Sequence, residues 1–326
     1  PEELARLRAH LPAEARDHRL LDEWAAAQAV DWSKITVPFL SVGSWGTVGL
    51  HLRGNVEAFR HAKSRQKWLM LLDADGPGID RFLTDEGFAV QLRFLDHFLH
   101  GKDNGWPAQP AVTYEVREPD GARSTRTSAT WPVERTRWTR LHLDATTRTL
   151  RPRIPDEPGA ATYWPTSDGV VFRTERYDRR VEIAGPLTLQ LEVSTRAEDL
   201  DLFVSVQVVA ADGRSIGPTA RGWLRLSHRE LDEDASTQWS PVHTHRQPSE
   251  VEPGRRYVSH VEIWPTALVI PPGGVVRVSV LGRDPFDVGE WRHDDPDDRP
   301  TRSFADWATI HSGPEAGSYL LIPVVA

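Results

Sequence analysis

The feature that most limits how this chain can fold is a change of hydrophobic periodicity near Trp106 and Pro107. Before that point apolar residues recur at spacings of three and four, the period of a helix packed on one face. Residues 2–13 and 20–29 read this way, and 84–100 most clearly, with Phe88, Leu92, Leu95 and Leu99 in register and Phe94 and Phe98 beside them. Thr84 is placed to cap that helix, Asp85 and Glu86 sit in its first turn where the helix dipole favours anions, and Gly101 is placed to end it. After Pro107 the pattern alternates and is rich in Val, Thr and aromatics. Strands are predicted over 111–117, 139–143, 187–194, 202–209, 222–226, 258–263, 275–281 and 319–325. Turn signals such as Ala211-Asp212-Gly213 and Pro271-Pro272-Gly273-Gly274 separate them. The fold class expected is α/β over 1–107, followed by an all-β antiparallel sandwich or jelly roll over 108–326.

The length of 326 residues agrees with about two domains. No run approaches 18 uncharged apolar residues, so no membrane span is expected. The first residues, Pro1-Glu2-Glu3-Leu4-Ala5-Arg6, do not read as a signal peptide, and the chain does not begin with Met. Cleavage, truncation or an upstream segment would each account for that start. With no cysteine, disulfides, thiolate metal sites and a cysteine nucleophile are excluded, which suits a reducing cytoplasm. A net charge of −8 argues against nucleic acid as the partner.

The chemistry-bearing part of the α/β region is 31–101. The run Ile35-Thr36-Val37-Pro38-Phe39-Leu40-Ser41-Val42-Gly43 reads as a buried strand. It empties into Ser44-Trp45-Gly46-Thr47-Val48-Gly49, and 50–61 then reads as a helix. A second run, 68–72, leads into Asp73-Ala74-Asp75-Gly76-Pro77-Gly78. The exits of such strands are where α/β sheets place functional loops. No Gly-x-Ser-x-Gly elbow is present, and Val42-Gly43-Ser44-Trp45-Gly46 misses it in spacing, so Ser44 reads as a loop residue. His51 is a candidate general base, although a helix-start histidine bonded to a neighbour is the commoner case. Asp73 and Asp75 are candidate acids or bases, against the plainer reading of turn-forming aspartates. Trp45 is expected to line a pocket. His243-x-His245 would supply half of a metal site, but no third ligand follows, and no cofactor or metal is expected. The acidic run 284–298 lacks a calcium-loop register. The 13 tryptophans read as core packing or as sugar-stacking platforms, with packing favoured for Trp223 and Trp264.

Several separated motifs resemble, in order, the CocE/NonD family of serine hydrolases, the class of cocaine esterase and X-Pro dipeptidyl-peptidase. His18-Arg19-Leu20-Leu21-Asp22-Glu23-Trp24 resembles the stretch after that family's helical cap. Trp32-Ser33-Lys34-Ile35-Thr36-Val37-Pro38, Gly49-Leu50-His51-Leu52-Arg53-Gly54-Asn55 and Arg93-Phe94-Leu95-Asp96-His97-Phe98-Leu99-His100-Gly101 resemble the second half of its hydrolase domain. Gly185-Pro186-Leu187, Asp201-Leu202, Ile263-Trp264-Pro265-Thr266, Pro271-Pro272-Gly273, Ile310-His311-Ser312-Gly313 and Ser318-Tyr319-Leu320-Leu321 resemble its C-terminal jelly roll. The resemblance implies the C-terminal part of an α/β-hydrolase domain, with a cap remnant, followed by a galactose-binding-like β jelly roll. It implies a small-molecule ester or amide substrate and a nucleophilic serine outside this chain.

Two positions depart from the family's pattern. Thr47 stands where the resemblance places the acid, and a histidine would fall near Gly76 or Gly78. Threonine cannot orient an imidazolium as a carboxylate does, and glycine cannot relay a proton. A catalytically degenerate homologue serving as a binding or assembly scaffold is therefore the alternative function. A carbohydrate-binding jelly roll is a weaker third reading. Half an α/β sheet would leave an edge unpaired. Residues 1–107 are accordingly expected to pack on an upstream segment, a second chain or another copy of the same chain.

Overall fold

The computed structural model describes residues 11–74, 78–284 and 295–326. Two short helices come first, α1 (Leu11–Asp17) and α2 (Glu23–Gln28); Asp22 caps α2 by accepting from the Ala25 N–H. Then follow β1 (Phe39–Ser44), α3 (Leu52–His61) and β2 (Lys67–Leu72). β1 and β2 are parallel, with Leu40 opposite Trp68 and Gly43 opposite Leu71, so α3 is the crossover of a βαβ unit. Its buried stripe, Leu52, Val56 and Phe59, repeats at four and three residues and faces the strands. α4 (Ile79–Phe82) and α5 (Asp85–His100) lead to β3 (Val112–Arg117), which adds to β2 in parallel.

The rest is β structure: β4 (Arg123–Ser128), β5 (Thr136–Asp144), β6 (Thr149–Arg151), β7 (Gly159–Tyr163), β8 (Val170–Thr174), β9 (Val181–Thr195) and β10 (Asp201–Val209). Next are β11 (Ser215–Arg225), β12 (Tyr257–Ile270), β13 (Val275–Leu281), the turn of helix α6 (Thr301–Phe304), β14 (Ala308–Ser312) and β15 (Tyr319–Val325). The pairing order β12-β11-β10-β13-β8-β6-β5-β15-β9 is closed by β9 on β12, so these strands form a ring around one core. That core is built from alternate residues of the strands, such as Leu187, Leu189 and Leu191 of β9 and Val276, Val278 and Val280 of β13. A second core joins the βαβ unit to the ring. Trp45, Leu52, Val56, Phe59, Leu69, Leu71 and Tyr114 pack with Trp131, Ala184, Ala267 and Val269.

Strands 275–281 and 319–325 form over the residues that the alternation marks. β9 and β12 run longer than their patterns. β12 passes through Pro265 where its register against β9 shifts between Ile263 and Thr266, a bulge that spares the ladder the missing N–H. α5 is capped as expected: Thr84 Oγ1 accepts from the Gly87 N–H at 3.2 Å, and Gly101 takes φ +64°. Its apolar stripe is a surprise. Phe88, Leu92, Leu95 and Leu99 are 52, 61, 44 and 72% exposed, while Phe94 and Phe98 pack on Trp68. β1, beside β2, is an end of the sheet with its other edge unpaired among the described residues. Among the described residues no helix is long and apolar enough to cross a membrane.

Candidate active-site loops

The loops after β1 and β2 emerge side by side because their strands are parallel neighbours. The Ser44 hydroxyl donates to the Ala74 carbonyl at 3.1 Å, and the Trp45 N–H donates to the Leu72 carbonyl at 3.0 Å. Gly78 closes against the same serine: a Cβ added there would lie 3.2 Å from Ser44 Cβ, and its φ of +68° already disfavours a side chain. Gly78 thus offers no room for a larger residue without movement of the first loop.

Thr47 is buried, and its hydroxyl donates to the Ser44 carbonyl at 2.8 Å. It braces the turn into α3 rather than presenting an oxygen to solvent. His51 is the residue before α3, exposed, and its ring makes no hydrogen bond among the described residues. A general base needs a group that fixes its tautomer and direction, and none of the described residues serves here.

Asp73 is fully enclosed and forms a two-pronged ion pair with Arg117, with Nη2 to Oδ1 at 2.7 Å. Arg123 stands 3.4 Å from the same carboxylate. The Asp73 backbone N–H donates to Glu115 Oε2 at 2.8 Å, and Glu115 is itself gripped at both oxygens by Arg81. Burial alone would raise the Glu115 carboxyl. The hydrogen bonds from Arg81 and Asp73 N–H, with the charges of Arg81 and Arg123, hold it below the usual carboxylate range. Asp73 is therefore a structural anchor that ties the second loop to β3. Arg81, Glu115 and Arg117 lie 34 to 44 residues away from their partners in sequence, too far for any local pattern to signal them. Asp75 and Gly76 lie outside the described residues.

Trp45 was the expected pocket wall, but it is 1% exposed, deep in the second core. Its indole N–H donates to the Glu115 carbonyl at 2.8 Å and its ring lies 6.1 Å from that of Trp131. Trp223 and Trp264 pack on each other at 5.6 Å, and Gly49 of the first loop comes close to Trp223. Among the described residues no group of three or more His, Asp or Glu could hold a metal ion. His243 and His245 nonetheless join a third ring, His228, in a cluster that sequence spacing does not reveal.

Residues 104–321 match the model of the X-Pro dipeptidyl-peptidase C-terminal non-catalytic domain, two-thirds of the chain. The chain belongs to this family. A crystal structure of a CocE/NonD family hydrolase from Staphylococcus aureus superposes with a TM-score of 0.90 at 27% identity, covering 97% of this chain and 59% of that one. This places the chain as a C-terminal portion of the CocE/NonD class. An aminopeptidase of a marine-sediment Thaumarchaeota archaeon shares the fold, with a TM-score of 0.75 at 16% identity over 97% of this chain and 60% of its own. A Mycobacterium bovis protein that bears a serine esterase name is 24% identical over 229 residues, 59% of this chain and 35% of the relative. The chain thus spans about a third of the curated relatives it matches.

Proposed function

We propose that this chain is the C-terminal part of a serine hydrolase for ester or amide bonds, whose nucleophile is supplied from outside these residues. Residues 1–107 form the end of an α/β-hydrolase domain and 108–326 a galactose-binding-like jelly roll. The observation that carries this reading is the open side of the βαβ unit. β1 offers an unpaired edge, and α5 offers four exposed apolar side chains in one stripe. Fully burying such side chains stabilises by about 1.5–3 kcal/mol each, so this face strongly favours a covering layer. An upstream or separate segment bearing the remaining strands and the serine would extend the sheet at β1 and pack on α5. The chain's own part is then to hold the two loops, anchored by Asp73 and Thr47, at the end of that sheet.

A second reading rests on a specific observation. Thr47 is turned inward and Gly78 is pressed against Ser44, so neither loop supplies an acid or a base at the family's positions. The assembled protein would then be a catalytically silent scaffold. Labelling the intact gene product with a fluorophosphonate probe separates the two. A labelled serine outside these 326 residues supports the hydrolase. Absence of any labelled serine favours the scaffold.

A further inference from the structure

The segment 11–28 lies on the protein without a core of its own. No residue of α2 is buried, and Leu21 and Val30 are 45 and 53% exposed. Three polar tethers hold the segment among the described residues. The Leu21 N–H donates to the His245 carbonyl at 2.7 Å, Arg16 Nε pairs with Asp295 at 2.9 Å, and Arg19 Nη1 stands 3.8 Å from Asp298. The first of these depends on where the His245 backbone sits. That residue takes φ +48°, a left-handed conformation uncommon outside glycine, although histidine enters it more readily than most side chains.

The ring partner of His245 is His228. Its Nδ1 lies 2.9 Å from Nδ1 of His245, with ring centroids 5.1 Å apart. Such a contact is a hydrogen bond only if one nitrogen carries a proton and the other a lone pair. One extra proton on the pair leaves a donor and an acceptor; a second makes both nitrogens donors, and the contact becomes a repulsion. Charged groups of both signs surround the pair, most of them in ion pairs of their own, Arg53 with Glu262 among them. Arg225 faces His228, Arg53 faces His245, and the His243 ring lies 5.8 Å from that of His245, with His260 facing His243 in turn. Asp201 and Asp298 also face His228, but both are already paired with Arg225, and Asp201 with Arg299 as well.

We propose that the Leu21 end of the 11–28 segment is latched by the His228–His245 pair while the pair is neutral and released when acid protonates both rings. Release frees the His245 loop from its left-handed turn and withdraws the carbonyl that holds Leu21. Burial depresses the proton affinity of both rings and of His243, which keeps the latch closed at neutral pH.

Hydrogen–deuterium exchange on the full chain at pH 7.5 and 5.0, corrected for intrinsic exchange, tests this. Protection of the Leu21 amide should fall at least tenfold at pH 5.0, and by a clearly larger factor than the amides of β10 and β13, which follow only the fall in global stability. His228→Gln, whose amide pairs with His245 in either protonation state, should hold Leu21 protection within threefold across that range. Imidazole NMR of the unaltered chain should show the pair titrating in two steps, the second coinciding with loss of protection. Unchanged protection at pH 5.0 overturns the proposal. So does an equal loss in His228→Gln, or a loss of the same factor in β10 and β13.

Discussion

Replacing Asp73 by Asn separates the structural and the catalytic meaning of that residue. Asp73 has no exposed surface, and its partner Arg117 is only 17% exposed, so the substitution removes the carboxylate that grips an enclosed guanidinium at both prongs. Removing one member of a buried pair costs about 3–5 kcal/mol. The Arg123 contact adds little, because that side chain is 47% exposed and such pairs contribute at most about 1 kcal/mol. Removing both charges, as in Asp73→Asn with Arg117→Met, should recover a large part of the loss, since neither charge is then stranded. Urea denaturation followed by tryptophan fluorescence, with slopes compared to confirm the same unfolding reaction, measures all four corners of the cycle. A single-variant loss of about 3 kcal/mol with a coupling above about 1.5 kcal/mol is the expected result. A loss below about 1 kcal/mol, accompanied by abolished turnover in the intact gene product, would refute the anchor and make Asp73 a catalytic group.

Three further outcomes follow from the same geometry. Gly78→Ala should destabilise by about 1–2 kcal/mol in urea titrations, through its positive φ and the close Ser44 Cβ. The histidines His228, His243, His245 and His260 all have depressed proton affinities from burial, His243 down to about 4. The unfolded chain therefore binds protons at these sites from about pH 6.5, before the folded one does, and the urea midpoint should fall as pH drops from 6.5 towards 4. Leu92→Glu with Leu95→Glu on α5 should change the stability of this chain by less than about 1 kcal/mol, because both side chains are already exposed. If an external segment covers α5, the same pair should abolish co-purification of that segment.

Much of the fold is legible in the sequence because it rests on short-range patterns. β13 and β15 follow simple alternation, and α5 announces both of its caps. The strands that escape the pattern have physical reasons to do so. β4, Arg123–Ser128, is polar throughout and pairs only with β3 among the described residues, so it buries no apolar face. β14 is short and is held by β7 and β9, far from it in sequence. In α5 the periodicity marks the helix and its apolar stripe, but periodicity does not say what covers the stripe, and nothing described in this chain does. The order of the two loops was equally legible. That Ser44, Ala74 and Gly78 meet, that Trp45 turns into the core, and that Asp73 is held by Arg117 depend on tertiary packing across tens of residues.

On the proposed function, these 326 residues hold two loops of a hydrolase domain without a complete catalytic set. Steady-state hydrolysis of activated acyl esters by the purified chain tests it most directly, run beside His51→Ala at matched concentration. A rate at the buffer background is expected for both. Turnover well above background that disappears in His51→Ala would contradict it, because the chain would then possess a working base that its geometry does not support.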